Sequence, residues 1–299
     1  MEKLKKGLVP RLFIAFAVSA FVALGSAGAV FAGTVETAVA AAPVQATAAS
    51  AAEERDQIFM LVALAVVNKD WQTTNGAGSR GYNIGSVLVD ANNNVLWWAR
   101  NCVNCNSNGT QHGEVRLMTQ YQQATRNFSL KGYTIYTSLE PCAMCGGMMC
   151  MQSVARTVFA QKDPDFGDGI QRLALDSTKL GPPPAGYSPY PRTLPSVPST
   201  LAFYGAINDA YTQWRNAGNT GLTKFLATPI AQKLYAAATN QLMTYQVQFP
   251  ENQQVYVNAL TFYRKIPTCP TGKICCDVPQ TSPKKVKAKA QEIPATSSK

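Results

Sequence analysis

From residue 53 the chain reads "EERDQIFMLVALAVVNKDW", a polar start followed by an almost unbroken apolar run. The pattern predicts a helix that offers solvent little surface. "GYNIGSVLVDANNNVLWWARN", residues 81–101, predicts two strands around an Asn-rich turn at 91–94. In "TQHGEVRLMTQYQQATRN" and just beyond it, Val115 with Met118, and Leu117, Tyr121, Ala124 and Phe128, recur at helical spacing. "GYTIYTSL" predicts a strand, "EPCAMCGGMMCMQSVA" a helix with Pro141 in its first turn, "RTVFAQ" a strand and "IQRLALDSTKL" a helix. The order helix, two strands, helix, strand, helix, strand, helix predicts an α/β layered domain over 53–180, with helices on both faces of a sheet.

After this domain the pattern changes. Residues 181–199 form a proline-rich connector. Residues 200–266 predict a helical extension in three segments, with Pro229 expected to break or kink the middle one. Residues 267–299 are a cysteine-bearing, lysine-rich tail. At the other end, a basic start is followed by an uncharged run from Leu12 to Ala32. Residues 1–32 are expected to be a secretory signal, with Val30-Phe31-Ala32 as the cleavage site, or an uncleaved anchor long enough to span a bilayer. Either places the rest outside the cytoplasm: periplasmic, secreted, or membrane-anchored and facing outward, with membrane contact only through the N-terminal segment. Residues 33–52 are an Ala/Thr-rich linker that is not expected to join the core.

The formal net charge of +10 adds little. The first 32 residues carry +3 of it and the tail from Lys284 +4, which leaves the folded part at only +3. Charge alone is therefore weak support for nucleic-acid binding.

The chemistry is carried by few residues. His112 is the single histidine in the chain, and Glu114 follows two positions later at a predicted helix start. Cys142 and Cys145 open the next predicted helix, where positions i and i+3 share a face and the helix N-terminus favours thiolates. A Cys-x-x-Cys alone is equally a disulfide, a redox pair or half of a metal site. Joined to His112 it gives three zinc ligands and leaves the fourth position for water. Glu114 is left over as a proton carrier. The set is the His-x-Glu…Pro-Cys-x-x-Cys pattern of zinc nucleobase deaminases.

The surroundings carry a resemblance. "NIGSVLVDANNNVLWWARN", "TSLEPCAMC" and "VARTVFAQKDP" resemble the tRNA adenosine deaminases and guanine deaminases of the cytidine/deoxycytidylate deaminase superfamily, over roughly residues 55–175. The sequence departs at Gly113, where those relatives usually carry Ala or Val; that side chain is not a ligand. The resemblance implies a layered α/β sandwich with a mixed sheet flanked by helices. It implies one Zn2+ on His112, Cys142 and Cys145, and Glu114 as the catalytic acid/base. It also implies that Asn101 holds the base, although a residue there also suits a strand-ending turn. The implied reaction is hydrolytic deamination of adenine or cytosine in single-stranded DNA or RNA. A free nucleobase or nucleoside of guanine or cytosine type is the alternative substrate. A catalytically idle envelope binding module is a further alternative, against which the intact Glu114 argues. The oligomeric state stays open, a dimer included.

Other residues have plainer expected roles. Glu140 supports its loop through hydrogen bonds, Met148, Met149 and Met151 fill the core, and Cys150 is a buried free thiol. Trp97 and Trp98 point to opposite faces of a strand, one into the core and the other either into core or onto a base. Cys102 is expected in a disulfide, with Cys105 or with Cys269, Cys275 or Cys276; a second zinc site is the alternative.

Overall fold

The computed structural model describes residues 43–181 and 186–268. The signal or anchor expected at 1–32, Cys269, Cys275, Cys276 and the lysine-rich tail lie outside the described residues. Among the described residues, no helix is long and apolar enough to cross a membrane.

The chain begins with helix α1 (Ala51–Asn68), capped by Ser50, whose hydroxyl accepts from the Glu53 N–H at 3.2 Å. Strands β1 (Gly85–Val89) and β2 (Val95–Arg100) form an antiparallel hairpin. Helix α2 (Gly113–Thr125), strand β3 (Thr134–Thr137), helix α3 (Ala143–Met151) and strand β4 (Arg156–Phe159) follow. A short helix α4 (Gly169–Leu173) and strand β5 (Ser196–Pro198) complete the sheet region. Among the described residues the sheet has five strands in the order β2-β1-β3-β4-β5. β1 is antiparallel to β2 and β3, whereas β3, β4 and β5 run parallel, so the sheet is mixed.

Alternation along the strands divides the core. Val87, Val89, Trp98, Tyr136 and Val158 pack with α1 on one face; Leu88, Trp97, Ala99 and Ile135 pack with α2 and α3 residues such as Leu117, Met118 and Met149 on the other. Both tryptophans are thus core, and neither remains for stacking on a base.

Helix α1 is apolar on every side because it is covered on every side. Ile58 to Val67 are all essentially inaccessible. The sheet covers one flank and the C-terminal helices cover the rest. These are α5 (Ala202–Asn216), α6 (Leu222–Phe225), α7 (Pro229–Met243) and α8 (Gln253–Lys265). The helical extension therefore shares one hydrophobic cluster with the sheet. The buried Glu54 carboxylate fastens the two parts: it accepts from the Gln248 and Phe249 N–H groups and from Asn252 Nδ2.

Several expectations are corrected. The linker expected over 33–52 does not extend to its end, because Ala48 is buried and Gln45 exchanges hydrogen bonds with Gln246. The proline-rich connector supplies the edge strand β5, where an edge position tolerates the missing N–H of Pro198. Helix α2 ends at Thr125 with Arg126 in the left-handed region (φ 60°), which leaves Phe128 94% exposed and Ala124 at the surface. Pro141 precedes the N-cap residue Cys142 and lies outside the first turn. Pro229 begins α7 behind its cap Thr228, so it starts a helix where a kink was expected. Met151 is exposed and Met148 half-buried; Met149 and the Cys150 thiol are core.

Candidate metal centre and cleft

The N-termini of α2 and α3 bring the chemistry together. His112 is the N-cap residue of α2 and Cys142 that of α3, and neither side chain caps its own helix. Both project instead into a shared site that Cys145, one turn along α3, completes. Sγ of Cys142 lies 3.7 Å from Nδ1 of His112, Sγ of Cys145 lies 3.6 Å from the same nitrogen, and the two sulfurs are 3.7 Å apart. A tetrahedral zinc with Zn–S of about 2.3 Å and Zn–N of about 2.05 Å requires S···S near 3.8 Å and S···N near 3.6 Å. The triangle therefore has the edge lengths of one face of such a polyhedron, through Nδ1 of the imidazole.

The two sulfurs are hydrogen-bonded to each other, and the bond pushes their thiols apart in acidity. The Cys142 thiol is lowered to about 4, chiefly by its hydrogen bond with Cys145 and also by His112. The Cys145 thiol is pushed well up by that same bond, by burial and by Glu114. His112 is raised, first through its hydrogen bond with Cys142. A divalent cation would displace the thiol proton and hold both sulfurs as thiolates.

Glu114 is buried, and burial raises its pKa. Oε1 accepts from the Thr137 hydroxyl at 2.9 Å, and Ser86 Oγ donates in turn to Thr137 at 3.1 Å. Oε2 faces Sγ of Cys145 at 3.5 Å, which aims that oxygen at the metal centre. Gly113 packs α2 onto the sheet: a Cβ there would lie 3.4 Å from Gly85 Cα and Ser86 Oγ. A Cβ at that spacing makes ordinary van der Waals contact, so an alanine would fit.

Asn101, at the end of β2, is inaccessible to solvent. Its Oδ1 accepts from the N–H groups of Tyr82 and Val103 at 3.1 and 3.3 Å. Its Nδ2 has no partner and is the one donor the side chain still has to offer. Tyr82 and Val103 line the cleft, and Asn101 stands behind them. The Asn101 carbonyl accepts from Arg80, itself paired with Asp70 at 2.9 Å. Cys102 and Cys105 form a disulfide in the loop between Asn101 and His112. Glu140 supports its loop as expected, accepting from the N–H groups of Asp163 and Asp168 and from Lys162 Nζ.

The metal centre opens into a cleft of about 930 Å³. His112, Glu114 and Cys142 reach it from the helix ends, and Asn104, Ser107 and Asn108 from the disulfide loop. Asp163, Asp165 and Phe166 follow β4, and Gly221, Leu222 and Thr223 come from the helical extension. Neither of the last two groups, nor Thr137 or Ser86, was among the residues expected at the site. "KDPDFG" after a strand was a local signal for the first; Gly221 to Thr223 lie far along the chain and carry none.

Residues 53–161 match the family model of the cytidine and deoxycytidylate deaminase zinc-binding region. A tRNA-specific adenosine deaminase of Haemophilus influenzae is 32% identical over 84 residues, which is 28% of this chain and 49% of that protein. A probable cytosine deaminase of Schizosaccharomyces pombe is 39% identical over 75 residues, 25% of this chain and 44% of that protein. The chain thus spans about half the length of the curated relatives it matches. A solved structure from studies of A-to-I editing by tRNA:A34 deaminases aligns with a TM-score of 0.34 and 24% identity, over 46% of this chain and 95% of that one. Geometry and donor set agree with that match: the segment 53–161 is similar to the zinc-binding region of the cytidine and deoxycytidylate deaminases.

Proposed function

We propose that the protein hydrolytically deaminates an amine-bearing nucleobase. The carrying observation is that Glu114 sits beside the three-ligand triangle with one oxygen held by Thr137 and the other turned to the metal centre. A purely structural zinc would not need a buried carboxylate there. When bound to His112, Cys142 and Cys145, zinc supplies a water of pKa about 7. Glu114 would move two protons in turn, one from water to a ring nitrogen and a second from the added oxygen to the amine, which leaves as ammonia while the ring carbon keeps the oxygen as a carbonyl. Thr137 fixes the carboxylate so that proton transfer needs no side-chain rearrangement. Asn101 supports the cleft wall from behind, accepting from the N–H groups of Tyr82 and Val103, and the buried Arg80–Asp70 pair holds the Asn101 backbone. The adenosine and cytosine deaminases among the relatives support an amine leaving from a nucleobase ring.

Elemental analysis and ammonia release on a panel of bases test the reading together. The purified protein is expected to carry one zinc per chain, and His112→Ala and Cys142→Ser to lose both metal and turnover. Full zinc occupancy in both variants would remove the ligand assignment.

A further inference from the structure

The cleft has more to say about the substrate, on the premise that the deaminase reading holds. Its lining contains Asp163 and Asp165 on one wall, and no Lys or Arg among the described residues. Lys162, next to that wall, is already engaged, with its Nζ 2.6 Å from Asp168 and 3.3 Å from Glu140. A bound dication adds no net positive charge, because two thiolates offset it. Glu140 also lines it, paired with Lys162, and beyond the metal centre and Glu114 the other polar side chains, among them Asn104, Ser107, Asn108 and Thr223, offer amides and hydroxyls. Phosphate recognition relies on Arg, Lys and the counterions they displace. A phosphate brought near Asp163 and Asp165 would instead meet charge of its own sign, which disfavours the complex.

We propose that the cleft takes an unphosphorylated base or nucleoside and disfavours nucleotides and nucleic-acid strands. Its volume of about 930 Å³ lies within the range of sites that enclose small molecules. The two carboxylates that set this preference, Asp163 and Asp165, lie outside the family-matched segment 53–161. Selection is thus built from the strand end after β4. The side chains of the family-matched segment supply the metal centre and the proton carrier.

The test uses the zinc-loaded full chain, so that the lysine-rich tail takes part. Adenine, guanine and cytosine are each presented as free base, nucleoside, 5′-monophosphate and within a short single-stranded oligonucleotide, and ammonia release is followed. The base or nucleoside is expected to exceed its monophosphate and its oligonucleotide by at least about tenfold in kcat/KM, a modest value for a like-charge contact. Asp165→Lys is expected to narrow that gap about threefold or more. A monophosphate or strand processed as fast as its nucleoside, or a gap that Asp165→Lys leaves intact, overturns the proposal. Silence on every compound defeats the deaminase reading instead. Equilibrium dialysis of the same nucleosides and monophosphates against zinc-loaded Glu114→Gln then decides the cleft's preference. Tighter binding of the nucleosides supports it, and equal or tighter binding of the monophosphates refutes it.

Discussion

Replacing Glu114 by Gln separates chemistry from structure at this centre. Gln has the same shape, so its Oε1 can keep accepting from the Thr137 hydroxyl, now at 2.9 Å from the carboxylate. Its amide can point at Sγ of Cys145, 3.5 Å from the present Oε2. Glu114 is 3% exposed, and burial disfavours its charged form. A neutral amide removes that cost, so the variant is expected to melt no lower than the wild type. None of the three ligands is altered, and zinc content should stay at one per chain. What is lost is the group proposed to take and return protons. Positioned acid/base groups contribute about 10²–10⁴-fold, or roughly 2.7–5.4 kcal/mol on the barrier. The assay pairs elemental analysis with ammonia release from the best substrate of the panel. Zinc retained with turnover down at least about a hundredfold is the expected result. Near wild-type release would mean that another group moves the protons, and loss of zinc would mean that the carboxylate helps to hold the metal.

Thiol counting under denaturing conditions is expected to give more thiols with reductant than without, and peptide mapping should place the bond between Cys102 and Cys105. Glu54→Ala removes three hydrogen bonds to a buried carboxylate and should cost about 2–4 kcal/mol in denaturant unfolding; the transition should stay single, and a separate early loss of α7 and α8 would show that the extension is an independent unit. If the substrate is a base or nucleoside, removal of residues 284–299 should leave the kinetics unchanged at any salt, and a loss confined to low salt would point to phosphate contacts through the tail.

The sequence by itself determined the elements whose signal is local. The apolar runs "GSVLV" and "VLWWAR" around an Asn-rich turn gave both hairpin strands, since a strand packed on both faces is apolar on both. The zinc donors were legible because the chemistry restricts them to a few residue types at fixed offsets: His112 two before Glu114, and Cys142 three before Cys145. The apolar run of α1 declared burial but could not declare by what. Only the tertiary structure showed that α7 and α8 cover it, because contacts across more than 150 residues leave no periodicity in the chain. The edge strand β5 was hidden for a similar reason. Its prolines read as a connector, and only the neighbouring β4 supplies the partner that makes three such residues a strand. The cleft was decided in the same way. Asp163 and Thr223 are unremarkable in sequence, and they become its walls because the sheet and the extension fold against one core.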